Sequence, residues 1–218
     1  MRHGYTNRTQ RRASVVRKTY AGPGAGARQA AEYRALTALA EVFTVPGIAN
    51  SGPGWIETEF VTGRHGQDLI DAGDATAVLS ECGHALAELH RIDPRLLDPA
   101  APPRTVIRHG DFGPNNVLLD ADTGATSAVL DWEFSGVGNV LADVAWCEWI
   151  VRMHHPTAID ALDDFFDAYG QRPSWTDRQQ EMVRRCEWLE DFACRGDPDG
   201  PGVETWRQRR RIAEAWTE

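Results

Sequence analysis

No stretch of this 218-residue chain approaches the roughly 18 unbroken apolar residues that a membrane-spanning helix requires, so no membrane partner is expected. The N-terminal run MRHGYTNRTQRR is polar and basic, with no apolar signal-peptide centre behind it, and the expected location is the cytoplasm. None of the four cysteines, Cys82, Cys147, Cys186 and Cys194, forms a CxxC pair, which argues against a zinc site. Without a secretion signal they are read as reduced, buried thiols rather than as two disulfides. There are no internal repeats and no low-complexity tracts. An excess of basic residues is also missing: 23 Lys and Arg stand against 32 Asp and Glu, a net charge of −9, which argues against a nucleic-acid partner. What is present, 42% hydrophobic residues, is ample for a globular core.

The charge is unevenly spread. Residues 1–59 hold eight Lys/Arg and four Asp/Glu, whereas residues 60–218 hold fifteen and twenty-eight. The first part suits an anionic ligand and the second a cationic one, although an acidic surface also serves solubility alone.

Along the chain, Ser14 to Tyr20 (SVVRKTY) reads as a strand with a lysine inside it, and AGPGAGA (21–27) as a loop. Residues 28–40 turn helical, with Ala31, Ala35, Leu36 and Leu39 at spacings of three and four. Trp55 to Val61 is a second strand. The segment 74–90 is an amphipathic helix with Val78, Leu79, Cys82, Leu86 and Leu89 on one face and Asp74 placed to cap it. Val117-Leu118-Leu119 and Ala128-Val129-Leu130, joined across Asp122-Thr123-Gly124, form a short hairpin. Helices follow at about 140–153, 157–169, 176–194 and 202–216, the third opening on a capping box of Thr176 and Gln179. The order predicts an α+β fold, a small strand-rich lobe joined to a mostly helical one.

The chemistry concentrates in RHGDFGPNNVLL (108–119) and LDWE (130–133). Asp111, between a glycine and a Gly-Pro, sits on a constrained loop. Asn116 closes that loop where the hairpin begins, and Asp131 ends the hairpin. Two antiparallel strands with a tight turn return the chain to its start, so Asn116 and Asp131 are expected side by side with Asp111 near. Two carboxylates and an amide at one place suit a hard divalent cation, and phosphoryl transfer uses such a cation together with a carboxylate that takes the acceptor proton. Any one of the three alone reads as a turn former.

The pattern H-G-D-x-x-x-x-N followed by D-W-E resembles the catalytic core of the aminoglycoside-phosphotransferase family, distant relatives of the protein kinases. The resemblance is specific at 109–133 and extends in weaker form from Gly4 to about residue 150. It implies a two-lobed, protein-kinase-like fold, with a nucleotide-binding lobe at 1–61 and a catalytic, substrate-binding helical lobe at 62–218. It also implies an ATP-dependent kinase for a small-molecule hydroxyl, with Mg2+ as cofactor. Asp111 would be the base, and Asn116 and Asp131 the magnesium ligands. His109 and Asp143 would hold the loop. Lys18 and Glu32 would pair and meet the ATP phosphates. Gly4 and Asn7, in GYTNRT (4–9), would belong to a turn covering the nucleotide, and the backbone of Glu59 and Val61 would meet the adenine edge. Relatives have a strand before that turn, and here it is expected to be missing or shortened, leaving residues 1–12 loosely held.

For the acceptor, the acidic second lobe suggests a cationic hydroxyl compound such as an aminoglycoside. Glu148, Glu187 and Asp191 are the candidate contacts, with Asp163, Asp164 and Glu190 behind them. Trp146, Trp149 and Trp188 read as pocket wall or as core. Other acceptors compatible with the same chemistry are a macrolide, a choline-like amino alcohol, homoserine or a sugar. A different class of reading is a silent pseudokinase acting as a binding module. The oligomeric state is not legible in the sequence.

Overall fold

The computed structural model describes residues 7–218. Its first unit is a four-stranded antiparallel sheet in the order β1-β2-β4-β3, built from β1 (Asn7–Arg12), β2 (Val15–Tyr20), β3 (Ile48–Gly52) and β4 (Trp55–Glu59). Helix α1 (Ala25–Leu39) connects β2 to β3 and buries Ala35, Leu36 and Leu39.

Two strands here were not legible. The polar run NRTQRR (7–12), three residues of which fall in the expected turn 4–9, is a strand paired residue by residue with β2, from Asn7 opposite Tyr20 to Arg12 opposite Val15. It carries no alternation of its own; the β-branched and apolar residues of β2 supply the template. The segment IANSG (48–52) is built from poor strand formers and gains its conformation by pairing with β4 across a turn containing Gly54 at φ 80°. Gly4 lies outside the described residues.

The rest of the chain is mainly helical. After β5 (Arg64–His65) and α2 (Gly66–Asp71) comes α3 (Ala75–Arg91), which buries the five residues expected on its inner face. Asp74 stands at its N-cap position, but the side chain makes no capping bond. β6 (Val106–Arg108) pairs with β9 (Gly136–Gly138), and between them lies the expected hairpin of β7 (Val117–Leu119) and β8 (Thr126–Val129). Then follow α4 (Leu141–His154), α5 (Leu162–Tyr169), α6 (Trp175–Gly196) and α7 (Pro201–Ala215). The cap of α6 is Ser174, whose hydroxyl accepts from the Asp177 N–H at 3.2 Å; Thr176 lies inside the helix, so the Thr176–Gln179 box does not form.

One apolar core joins α1, α3, α5, the hairpin and the inner face of α4 around Leu79, Leu86, Phe112, Trp132 and Phe165. A second joins the other face of α4 to α6 and α7 around Trp146, Trp149 and Met182. Helix α4 is therefore apolar nearly all round, because it packs on both sides. The cysteines are free thiols; Cys82, Cys147 and Cys186 are buried as expected, and Cys194 is exposed. No helix among the described residues is long and apolar enough to cross a membrane.

Candidate active site

A cleft of about 310 Å³ lies where the sheet meets the hairpin, lined by Val16, Lys18, Glu32, Ile56, Asn116 and Asp131 among others. Lys18 reaches it because β2 alternates its side chains and Lys18 sits opposite Ile56 of β4. Helix α1 then brings Glu32 to the same side. Lys18 Nζ donates to Glu32 Oε2 at 2.6 Å and to Asp131 Oδ1, and stands 3.6 Å from Glu133 Oε2. Tyr20 donates its hydroxyl to Glu32 at 2.6 Å. Arg28 pairs with Glu133 at 2.6 Å, and Asn7 bonds both, donating to Glu133 and accepting from Arg28. Burial works against the Lys18 charge, but Asp131, Glu32 and Glu133 outweigh it and hold the amine protonated far into the alkaline range. Burial pushes the Glu32 carboxyl up, against Lys18, while Lys18 overcomes burial to hold Asp131 below its ordinary value. Lys18 is the only lysine of the chain; every other one of the 23 basic residues is arginine.

The hairpin does what its spacing implies. The Leu130 N–H donates to the Asn116 carbonyl at 2.8 Å, closing the two ends side by side. Asp131 takes a left-handed backbone, φ 66°, that sends its side chain back toward Lys18. Such a conformation is unusual for a residue with a Cβ, and the surroundings hold it: the next residue, Trp132, is fully buried and bonds the Val129 carbonyl at 2.8 Å.

The loop carrying Asp111 is tied at every point. His109 is buried, and its Nε2–H donates to the Leu130 carbonyl at 2.8 Å while Nδ1 accepts the Asp111 N–H at 3.1 Å, which fixes the neutral tautomer. Burial lowers the proton affinity of that ring, consistent with neutrality. Asp143 accepts from the backbone N–H of His109 at 2.7 Å and of Gly110 at 2.8 Å. Burial would raise its carboxyl, but His90, His109 and the Gly110 N–H prevail and hold it down as the anion. Asp111 itself accepts from Trp146 Nε1 at 2.8 Å and from Asn116 Nδ2 at 3.1 Å. Burial and the neighbouring Asp131 push its carboxyl up to about 6, against Arg185, Trp146 and Asn116. A carboxylate poised there is a competent proton acceptor near neutral pH.

Trp146 and Arg185 were not singled out as partners of Asp111. Trp146 stacks on Trp149 with ring centroids 4.3 Å apart and so belongs to the core, while its indole N–H faces the loop. Arg185, from α6, donates to the Gly110 carbonyl at 2.5 Å. Nothing in the local sequence marks either, since the contact depends on how α4 and α6 dock.

Hard oxygen donors for a divalent cation are present. Glu32, Asp131 and Glu133 bring carboxylate oxygens within 4.8 Å of one another. Asn116 spends its amide N–H on Asp111, so the polar atom left to it is Oδ1, an acceptor of the kind magnesium takes. The donor set fits the expected cofactor, with Glu133 as an acidic member that the sequence reading did not name. At the far end of the cleft Glu59, Phe60 and Val61 form the wall; the Glu59 N–H is committed to the Gly47 carbonyl at 2.8 Å.

The acceptor candidates fare differently. Glu148 is fully buried between Arg178 of α6 and Arg152, the latter at 2.9 Å, and lines neither cleft; this makes it a core ion pair. Glu187 is exposed and stands 3.5 Å from Arg210, and Asp191 is exposed on the same helix. Neither lines the clefts described here. Trp149 is core, whereas Trp188 lines a second pocket.

The sequence model described as the phosphotransferase enzyme family matches residues 95–182, the span that carries the loop, the hairpin and Asp143. Over this segment the chain is similar to that family. The fold agrees over nearly the whole chain. The GDP complex of an aminoglycoside 2'-phosphotransferase-IIIa superposes with TM-score 0.74 at 11% identity, covering 99% of this chain and 91% of that one. A choline/ethanolamine kinase family protein from Mesorhizobium loti gives 0.68 at 17%, covering 97% and 85%. A macrolide 2'-phosphotransferase from Brachybacterium faecium gives 0.64 at 17%, covering 99% and 94%. Among curated proteins, Acyl-CoA dehydrogenase family member 10 of Mus musculus is 36% identical over 64 residues, 29% of this chain and 6% of that protein. The α+β, kinase-like architecture expected from the sequence is thus the architecture of the APH fold.

Proposed function

We propose that this chain is an ATP-dependent small-molecule kinase that moves the γ-phosphoryl group to a hydroxyl of its acceptor. The observation that carries this reading is the convergence, at one cleft, of the Lys18–Glu32–Asp131 cluster and the pinned Asp111 loop. Lys18 binds phosphate oxygens, and Glu32 holds the amine in place. Asp131 and Asn116 hold the magnesium ion, with Glu133 beside them. When bound, that ion neutralises charge on the transferring group. Asp111 orients the acceptor hydroxyl and takes its proton. His109 and Asp143 fix the loop so that this carboxylate does not wander. The carbonyl of Glu59 and the N–H of Val61 receive the nucleotide base.

The intact set of chemical residues favours an enzyme over a silent binding module. A nucleotide-bound neighbour in this fold carries GDP, so GTP belongs beside ATP in any donor assay. The test is Asp111→Asn. It should lower transfer by about 10²–10⁴-fold, the usual scale for a lost general base, and leave Mg-ATP affinity within a few-fold. Full activity in the variant rejects the assignment. A second readout uses the solitary lysine. Lys18→Met should weaken Mg-ATP binding by at least about tenfold, read by titration, because it removes the amine that meets the phosphate oxygens.

A further inference from the structure

The pocket beside the Asp111 loop is cationic. Arg108, Phe134, Glu181, Arg184, Arg185 and Trp188 enclose about 230 Å³, three guanidinium groups against one carboxylate. This holds in a part of the chain where residues 60–218 carry fifteen basic and twenty-eight acidic side chains. The arginines are not consumed by their neighbours. The Nε atoms of Arg108 and Arg185 are both buried and without a hydrogen-bond partner. Arg184 pairs with Glu181 at 3.1 Å from an exposed position. The three guanidinium groups that line the pocket give it a positive charge that a bound anion would match. Burial pulls Arg185 down to about 10 even with Asp111 beside it, the direction a bound anion would reverse.

The walls are aromatic. Arg185 lies over Trp188, 4.3 Å from the ring centroid, and Phe134 meets Trp188 edge-on at 5.5 Å. The pocket adjoins the chemistry, since Arg185 holds the Gly110 carbonyl and Trp146, 5.5 Å from the same guanidinium, bonds Asp111. Its volume is below the roughly 300–1,000 Å³ of sites for drug-sized ligands, which favours a small occupant over a multi-ring one.

We propose that this pocket is the acceptor subsite and that it takes the anionic group, carboxylate or phosphate, of a small hydroxyl compound. The proposal rests on the kinase reading above and replaces the cationic acceptor suggested by overall charge. The acceptor hydroxyl gives its proton to Asp111. Its oxygen forms the new bond to the γ-phosphorus as the bond to the β–γ bridging oxygen breaks, and ADP leaves with that electron pair. Arg108 and Arg184 fix the anionic end so that the hydroxyl meets Asp111. Planar guanidinium forks match both carboxylate and phosphate.

The test is ADP release with Mg-ATP and four acceptors: glycerol 3-phosphate, D-3-hydroxybutyrate, kanamycin and choline. One of the two anionic compounds should raise turnover above basal hydrolysis, and which one does so separates phosphate from carboxylate. Arg108→Gln and Arg184→Gln should raise the KM for that acceptor at least tenfold, leave the KM for ATP within about twofold, and change kcat less than KM. Arg184→Lys should recover part of the loss. Turnover of kanamycin or choline alone, or an acceptor KM indifferent to both glutamine variants, overturns the proposal while the kinase reading stands. If none of the four is phosphorylated, calorimetric titration of the two anions into the Mg-ADP complex decides. Binding that Arg184→Gln weakens tenfold supports the subsite, and no binding to the wild type rejects it. Failure of the kinase reading would show separately, as absence of Mg-ATP binding.

Discussion

At the scale of single residues, charge in this chain divides between groups that act at the cleft and groups that hold the fold. Glu148 and Asp111 are both acidic side chains near α4, yet their surroundings separate them. Asp111 has Trp146 and Asn116 as neutral donors and keeps its proton affinity near neutrality. Glu148 has Arg178 and Arg152 and no opening to solvent. Removing one member of a buried pair strands the other, a loss of about 3–5 kcal/mol. Glu148→Ala should therefore lower the midpoint of chemical denaturation markedly. Folded enzyme recovered at low temperature should keep the acceptor KM of the wild type. A raised KM with unchanged stability would return Glu148 to the substrate site. The arginines follow the same logic: Arg178 is a buried structural cation, whereas Arg108 and Arg185 reach the second pocket with donors left over.

At the scale of elements, the Asp111 loop depends on how closely the helices behind it approach. Helices α3 and α5 meet at Gly83, where an added Cβ would fall 2.4 Å from the Phe165 carbonyl oxygen and 2.8 Å from the Ala168 Cβ. Alanine in a helix interior ordinarily gains about 1 kcal/mol over glycine. Here the obstruction is backbone, which cannot rotate away, and overpacking of this kind costs about 1–3 kcal/mol. Gly83→Ala should come out net destabilising, with a thermal midpoint several degrees lower. A stabilised variant would show that α3 and α5 slide freely. His90 and Asp143 connect this packing to the site: His90, at the end of α3, lies 3.5 Å from the Asp143 carboxylate that holds the loop, and bonds Tyr169 at 2.8 Å at the end of α5. A shift of α3 would reach the loop through that contact.

At the scale of the whole molecule, Lys18 and Arg28 join the sheet unit to the hairpin, through Asp131 and Glu133 respectively. These pairs cross from residues 7–59 to residues 131–133, so a nucleotide and its metal seated among them would cross-link the two parts. A ligand that binds only the folded state stabilises by about 2.7 kcal/mol at a hundred times its Kd. Saturating Mg-ATP should raise the thermal midpoint of the wild type by several degrees. Asp131→Ala should abolish most of that rise, because it removes the carboxylate proposed to hold the metal and unpairs Lys18. A rise equal to that of the wild type would refute the role given to Asp131.

The loop and hairpin at 109–131 were legible without a structure because their geometry is local. A glycine-bounded turn and a two-strand return fix Asn116 against Asp131 whatever else the chain does. Helix α3 was legible for a similar reason, since its apolar face repeats at helical spacing over four turns. The strands Asn7–Arg12 and Ile48–Gly52 were not, because pairing with neighbours gives them a conformation that their own residues do not prefer. The nature of the second pocket was hidden for the same cause. Net charge along the chain points to an acidic lobe, but α6 turns Arg184 and Arg185 toward Arg108 of β6, while Glu148 is turned into the core. Residue type and spacing determined which groups could do chemistry. Only the docking of helices onto the hairpin decided which of those groups face a ligand, because burial and pairing are properties of contacts between distant segments.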